Sequence, residues 1–158
     1  MDLYFILAAL CGGMKYERYR VAEGDSPYVY IFFSEGPQGI IPKGVSYTPI
    51  GKGFFNLGFG DLHEDLMDLD DASRSNNGDR DKVLATVAFT IVSFTEKFPD
   101  ARIFIEGSTT ARTRLYQMGI SANLREIMKD FEIKGFTNGD WEAFRRNKNY
   151  EAFLVSRK

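Results

Sequence analysis

The sequence predicts an α+β, mixed α/β domain: an N-terminal antiparallel meander of about four strands followed by α-β-α-β-β. Three observations predict it. Aromatic residues make up 15% of the chain, led by fourteen Phe and eight Tyr, and such side chains suit a pleated, half-buried surface. From Met14 to Asp61 apolar residues recur at a period close to two, with turn residues at regular intervals. Beyond Asp81 the period changes to that of a helix, and a strand and a second helix follow. A strand–helix–strand connection crosses right-handed over a sheet, so the second half requires at least one parallel neighbour.

The elements follow in order. Lys15–Ala22 (KYERYRVA) alternates, and Glu23–Pro27 is a turn. Tyr28–Ser34 (YVYIFFS) is too continuously apolar for an edge strand. Gly36–Gly39 turns into Ile40–Ile50, where Pro42 and Pro49 indicate an edge or bulged strand, because proline cannot donate to a ladder. Gly51–Gly53 turns into Phe54–Phe59. Asp61 to Asp81 reads as a long, polar, acidic loop with a helical turn around Leu62–Leu69. From Asp81 to Phe98, Val83, Leu84, Val87, Ala88, Ile91, Phe94 and Phe98 make one apolar stripe. Asp79 is the expected N-cap and Pro99 the stop. Ala101–Glu106 is an interior strand, and Gly107–Thr110 opens a helix to about Met118. Ser121 caps a continuation through Phe131, ahead of a strand at Glu132–Phe136, a helical turn at Asp140–Arg146 and a last strand at Glu151–Ser156.

Composition excludes several classes. A net charge of −2 gives no overall attraction to phosphate backbones or anionic lipid, so a nucleic-acid partner needs a local basic patch. One Cys excludes an internal disulfide, and one His with one Cys argues against zinc. No metal site is expected. A reducing cytoplasm is the simplest compartment. Leu3–Cys11 is apolar but far shorter than the ~20 residues a spanning helix needs, and Asp2 stands where a secretory signal carries positive charge. Residues 1–13 read either as an extra packed segment or as a leader upstream of a start at Met14. The polar opening Met14-Lys15-Tyr16-Glu17 favours the second, with 14–158 as one domain.

Four groups of residues have chemical potential. Gly107-Ser108-Thr109-Thr110 ends a strand and starts a helix, where backbone N–H groups and the helix dipole favour an anion. Arg112 adds a fork for phosphate or carboxylate, and Tyr116 lies four residues on along the same face. Ser and Thr are equally ordinary N-caps. Asn76-Asn77-Gly78-Asp79-Arg80 offers a nest of amides with Arg80 as a clamp, or simply an Asn-Gly turn and an Asp cap. The carboxylates between Asp61 and Asp71, with His63, match no EF-hand spacing and read as a solvated loop. Finally, Arg112, Arg114, Arg125, Arg145, Arg146, Lys148, Arg157 and Lys158 are interleaved with Tyr116, Trp141 and Tyr150, the pairing that a single-strand binding face uses. A charged exterior accounts for them as well.

Two resemblances follow from these stretches. The run NGDRDKVLATV…GSTTARTRLYQMGI, with EAF…NYEAFLVSRK, resembles an uncharacterised bacterial domain family of the Bacteroidetes type, from Met14 to the C-terminus. The order of strands, Asp81 helix, Ala101 strand, helix carrying Leu115-Tyr116 and two last strands is similar to that of the GCN5-related N-acetyltransferase superfamily. That resemblance implies acetyl-CoA as cofactor, its pyrophosphate near Asn77–Arg80, and Tyr116 as the acid that protonates the departing thiolate. The leading expectation is therefore a degenerate acetyltransferase-like fold binding a small anionic or nucleotide-like ligand at Gly107–Tyr116. The alternative is a nucleic-acid-binding or protein-interaction module working through Arg145, Arg146 and Lys148, or a toxin-like effector.

Overall fold

The structure, a computed structural model, describes residues 18–62, 69–70, 78–106, 110 and 128–158. Within them the chain builds nine strands: β1 (Ala22–Glu23), β2 (Val29–Gly36), β3 (Gly39–Gly51), β4 (Phe54–Leu62), β5 (Leu69–Asp70), β6 (Arg102–Ile105), β7 (Phe131–Thr137), β8 (Asp140–Ala143) and β9 (Ala152–Arg157). One long helix, α1 (Arg80–Lys97), joins β5 to β6. The strands form one mixed sheet in the order β1-β2-β3-β4-β6-β9-β7-β8, with β5 paired to β4. All neighbours run antiparallel except β4 and β6, which are parallel across the α1 crossover.

This corrects the expected fold class. A meander followed by α-β-α-β-β, and with it the acetyltransferase-like arrangement, gives way to a β-dominated domain organised on a single sheet. One cause is local. The Asp140–Arg146 stretch is not a helical turn, because Asn138 and Gly139 both take positive φ (51° and 78°). That pair closes a two-residue hairpin whose twist matches the flanking strands, so Asp140–Ala143 continues as β8. The other is content: among the described residues strands far outweigh helix, and α1 is the one long helix.

Of the two expectations for the 13-residue β3, edge or bulged, the second holds: it lies between β2 and β4, and its register with β4 shifts between Pro49 and Gly51. Its prolines are tolerated because its two neighbours are staggered. Pro42 stands one residue beyond the ladder with β4, which begins at Lys43–Asp61. Pro49 lies past the end of the ladder with β2 at Ser46, next to a register shift. Each proline therefore falls where the ladder with one flanking strand has ended.

Alternation sorts the side chains of the sheet. Tyr30 and Phe32 of β2, Val45 and Tyr47 of β3, Ile103 and Ile105 of β6, and Phe153 and Val155 of β9 are all buried on the α1 side. The helix meets them with Val83, Val87, Ile91 and Phe94 at steps of four, four and three residues. The Phe94 ring stacks on Tyr47 at 4.1 Å and meets Phe55 edge to face at 5.0 Å. Thr90 Oγ1 lies 2.8 Å from the Tyr47 hydroxyl. At the far side Arg157 Nη2 donates to the Val92 carbonyl (3.2 Å) and to Thr95 Oγ1 (3.0 Å), tying β9 to the helix.

Candidate functional site

The start of α1 is anchored by side chains far away in sequence. Asp79 occupies the N-cap position, and its backbone carbonyl accepts from the Val83 N–H, but its side chain makes no cap hydrogen bond. Instead Oδ2 accepts from the Tyr19 hydroxyl and from Ser34 Oγ, each at 2.5 Å. The Tyr19 hydroxyl also accepts from the Glu35 N–H at 3.0 Å, on the β2 edge that two-residue β1 leaves uncovered. Its own N–H donates to Thr86 Oγ1 of the helix at 2.9 Å. The Tyr19 ring stacks on Phe32 (5.8 Å), and the Lys82 ammonium sits 4.3 Å from its centre. Burial, with Asp79 second, raises the Tyr19 pKa. The Tyr19 and Ser34 hydroxyls, Asp79 Oδ2 and Thr86 Oγ1 are all hydrogen-bonded, so the group reads as a clasp between the N-terminal segment, β2 and α1.

One row away, Lys43 pairs with Asp61 across β3 and β4, opposite Phe32. The ammonium is almost wholly buried, and Phe59 lies beneath it at 5.8 Å. Removing either partner of so buried a pair would leave the other without its counter-charge.

The face turned away from α1 has a different character. Phe104, Leu154 and Lys134 lie in one row across β6, β9 and β7, and Phe136 and Trp141 are direct partners across β7 and β8. The Trp141 ring meets Phe136 at 5.1 Å and reaches back over two strands to meet Phe104 edge to face at 6.0 Å. All three rings are half-buried, while Arg102, Glu132 and Lys134 around them are exposed. The Arg102 guanidinium lies 5.2 Å over the Phe54 ring, and no carboxylate of the described residues pairs with it. Lys134 and Glu132 are 3.7 Å apart. Rings, a guanidinium, an ammonium and the Glu132 carboxylate therefore share one accessible surface.

Of the residues singled out from sequence, Asn77, Gly107, Ser108, Thr109, Arg112 and Tyr116 lie outside the described residues, as do residues 1–13 and most of the acidic loop. Thr110 is exposed, and Arg80 is the first residue of α1. Arg145, Arg146 and Lys148 follow β8, and they are not alike. Arg145 donates twice to Glu142 Oε2 (3.1 and 3.0 Å), and Lys148 holds Oε1 of the same carboxylate, so Glu142 answers both cations. Those two cations hold the Glu142 carboxyl below the usual range, Lys148 contributing most. Arg146 is exposed. Tyr150, expected among the basic residues as a stacking ring, is buried against Phe144 and Phe153 and accepts from the Arg145 N–H at 3.0 Å. The platform rings Phe104 and Phe136 escaped notice in the sequence. Their signal was present: an Asn-Gly hairpin between alternating strands puts Phe136 and Trp141 side by side.

Among the described residues no group of three or more His, Cys, Asp or Glu is placed to hold a metal ion. No helix there is long and apolar enough to cross a membrane.

Fold and surface together define a β-sheet domain with a helix packed on one face and, among the described residues, aromatic rings and mixed charges on the other. The chain belongs to a family of unknown function, DUF6934, matched over residues 15–158. No curated protein and no solved structure matches the chain, and the acetyltransferase resemblance finds no support.

Proposed function

We propose that this domain is a binding module whose working surface is the α1-distal face of the sheet between β6 and β8. The observation that supports this reading is the contact of Phe104, Trp141 and Phe136 across four strands on an accessible face. Three large rings held together there gain less from burial than they would in the core, and contiguous apolar surface of this kind marks interaction sites. The polar clasp at Asp79 and the Lys43–Asp61 pair act in holding the fold. A cytoplasmic setting fits a chain with a single cysteine.

Trp141 is the only tryptophan in the chain, so its emission reports on this face alone. Titration with a panel of short oligonucleotides, oligosaccharides and extended peptides should produce a saturable change with one class. An emission spectrum indifferent to all three would remove the reading.

A further inference from the structure

We infer that the polymer this face takes is a single-stranded nucleic acid, an inference that rests on the α1-distal face being the working surface. Three features converge. The rings stand at large angles to one another, 81° between Phe104 and Trp141 and 53° between Phe136 and Trp141, so they cannot all lie flat on a neighbour. Unpaired bases stack on such rings whatever their sequence, because every base has a π-face; a duplex hides those faces.

Charge selects the same partner. Arg102 lies next to Phe104 in the neighbouring row, set over Phe54 and free of any carboxylate among the described residues. A guanidinium fixed on a ring keeps its N–H fork available for a phosphate. Lys134, in the Phe104 row, shares its charge with Glu132 at 3.7 Å, where both side chains are about half exposed, a pairing that a phosphate can displace at little cost.

The net charge of −2 does not oppose this, since the contacts are local. It does set the expected affinity low and strongly dependent on salt. Arg145 and Lys148 contribute little, because Glu142 already answers both. The strand therefore crosses β6, β9 and β7 and does not follow the loop after β8.

The test is quenching of Trp141 by an eight-nucleotide oligothymidylate and by oligouridylate, from low to moderate salt. Saturable quenching is expected, weakening as salt rises. Phe104→Ala should weaken binding about tenfold, the effect of losing one stacked base. Arg102→Gln should lower the slope of log affinity against log salt by about 0.7, the value for one single-strand phosphate contact, and Arg145→Gln should leave it unchanged. Arg102 is exposed, so its variant stays informative even if Phe104→Ala unfolds the chain. Quenching by oligosaccharide or peptide but not by either oligonucleotide would overturn the partner and leave the binding face standing. Oligonucleotide quenching that ignores salt and Arg102→Gln would also overturn it. Silence from every polymer would remove both.

Discussion

The Tyr150 ring occupies the space in which a side chain on residue 135 would stand: a Cβ built on Gly135 would lie 2.3 Å from Tyr150 Cδ1. Glycine is needed there for contact, not for backbone angles. Its absence of a side chain lets Tyr150 fold over β7, where its hydroxyl accepts from the Arg145 N–H and its ring joins Phe144 and Phe153. Gly135→Ala should therefore lose about 3 kcal/mol in chemical denaturation, the upper end of overpacking costs. In the Gly135→Ala/Tyr150→Ala double variant the two losses should sum to less than their parts. Full additivity would show that the two residues do not meet.

Asp79 should matter far more than an ordinary cap. Asp79→Ala removes the acceptor of two hydroxyls, those of Tyr19 and Ser34, and the expected loss is about 3 kcal/mol. A simple N-cap deletion costs about 1 kcal/mol. Urea unfolding of Asp79→Ala beside Tyr19→Phe separates the two; a loss near 1 kcal/mol for Asp79→Ala would reduce the clasp to a cap.

Two neighbouring tyrosines should respond oppositely to loss of their hydroxyls. The Tyr47 hydroxyl pairs with Thr90, so Tyr47→Phe should cost about 1 kcal/mol. The Tyr30 hydroxyl is buried with no hydrogen bond of ordinary geometry. Ser93 is near enough to oppose the burial that raises the Tyr30 pKa, yet does not complete a bond. Tyr30→Phe should leave stability unchanged within about 0.5 kcal/mol, or raise it slightly. Thermal melts of the two variants against the parent give the answer.

Alkaline pH should unfold the protein. Burial is the first cause that raises the phenol pKa of Tyr19, Tyr30 and Tyr47, and Tyr47 is raised well above its usual value. The unfolded chain releases these protons first, so the stabilisation is complete below about pH 10 and is lost as pH climbs from there toward the folded values. Melting temperature should fall steeply above about pH 10, together with the tyrosinate absorbance that appears on unfolding. Tyr47→Phe should soften that fall, and an identical pH profile in this variant would contradict the assignment.

What could be read from sequence was local. The stripe Val83, Val87, Ile91 and Phe94 identifies α1 because helix periodicity is a property of neighbours along the chain. The turn at Gly36–Gly39 and the apolar run of β2 are legible for the same reason. The Asn138-Gly139 turn is just as local, although the residues after it read as a helical turn; the twin positive φ values that Asn-Gly supports make it a turn between strands.

Other features were not in any window of sequence. That β3 is interior depended on where β2 and β4 stop, which no feature of Pro42 or Pro49 reveals. Asp79 is the N-cap that the local pattern indicates, but its side-chain partners, Tyr19 and Ser34, are 60 and 45 residues away and no local pattern shows them. Phe104 and Trp141 meet although β9 and β7 stand between their strands, a contact that depends on the whole order of the sheet. The sequence by itself determined the helix, most strand segments and the absence of any overall basic character. The tertiary structure alone decided which strands are neighbours, and hence which rings and charges share a face. Local periodicity is set by bond geometry over a few residues, whereas strand order is a choice among long-range pairings that similar apolar strands leave open.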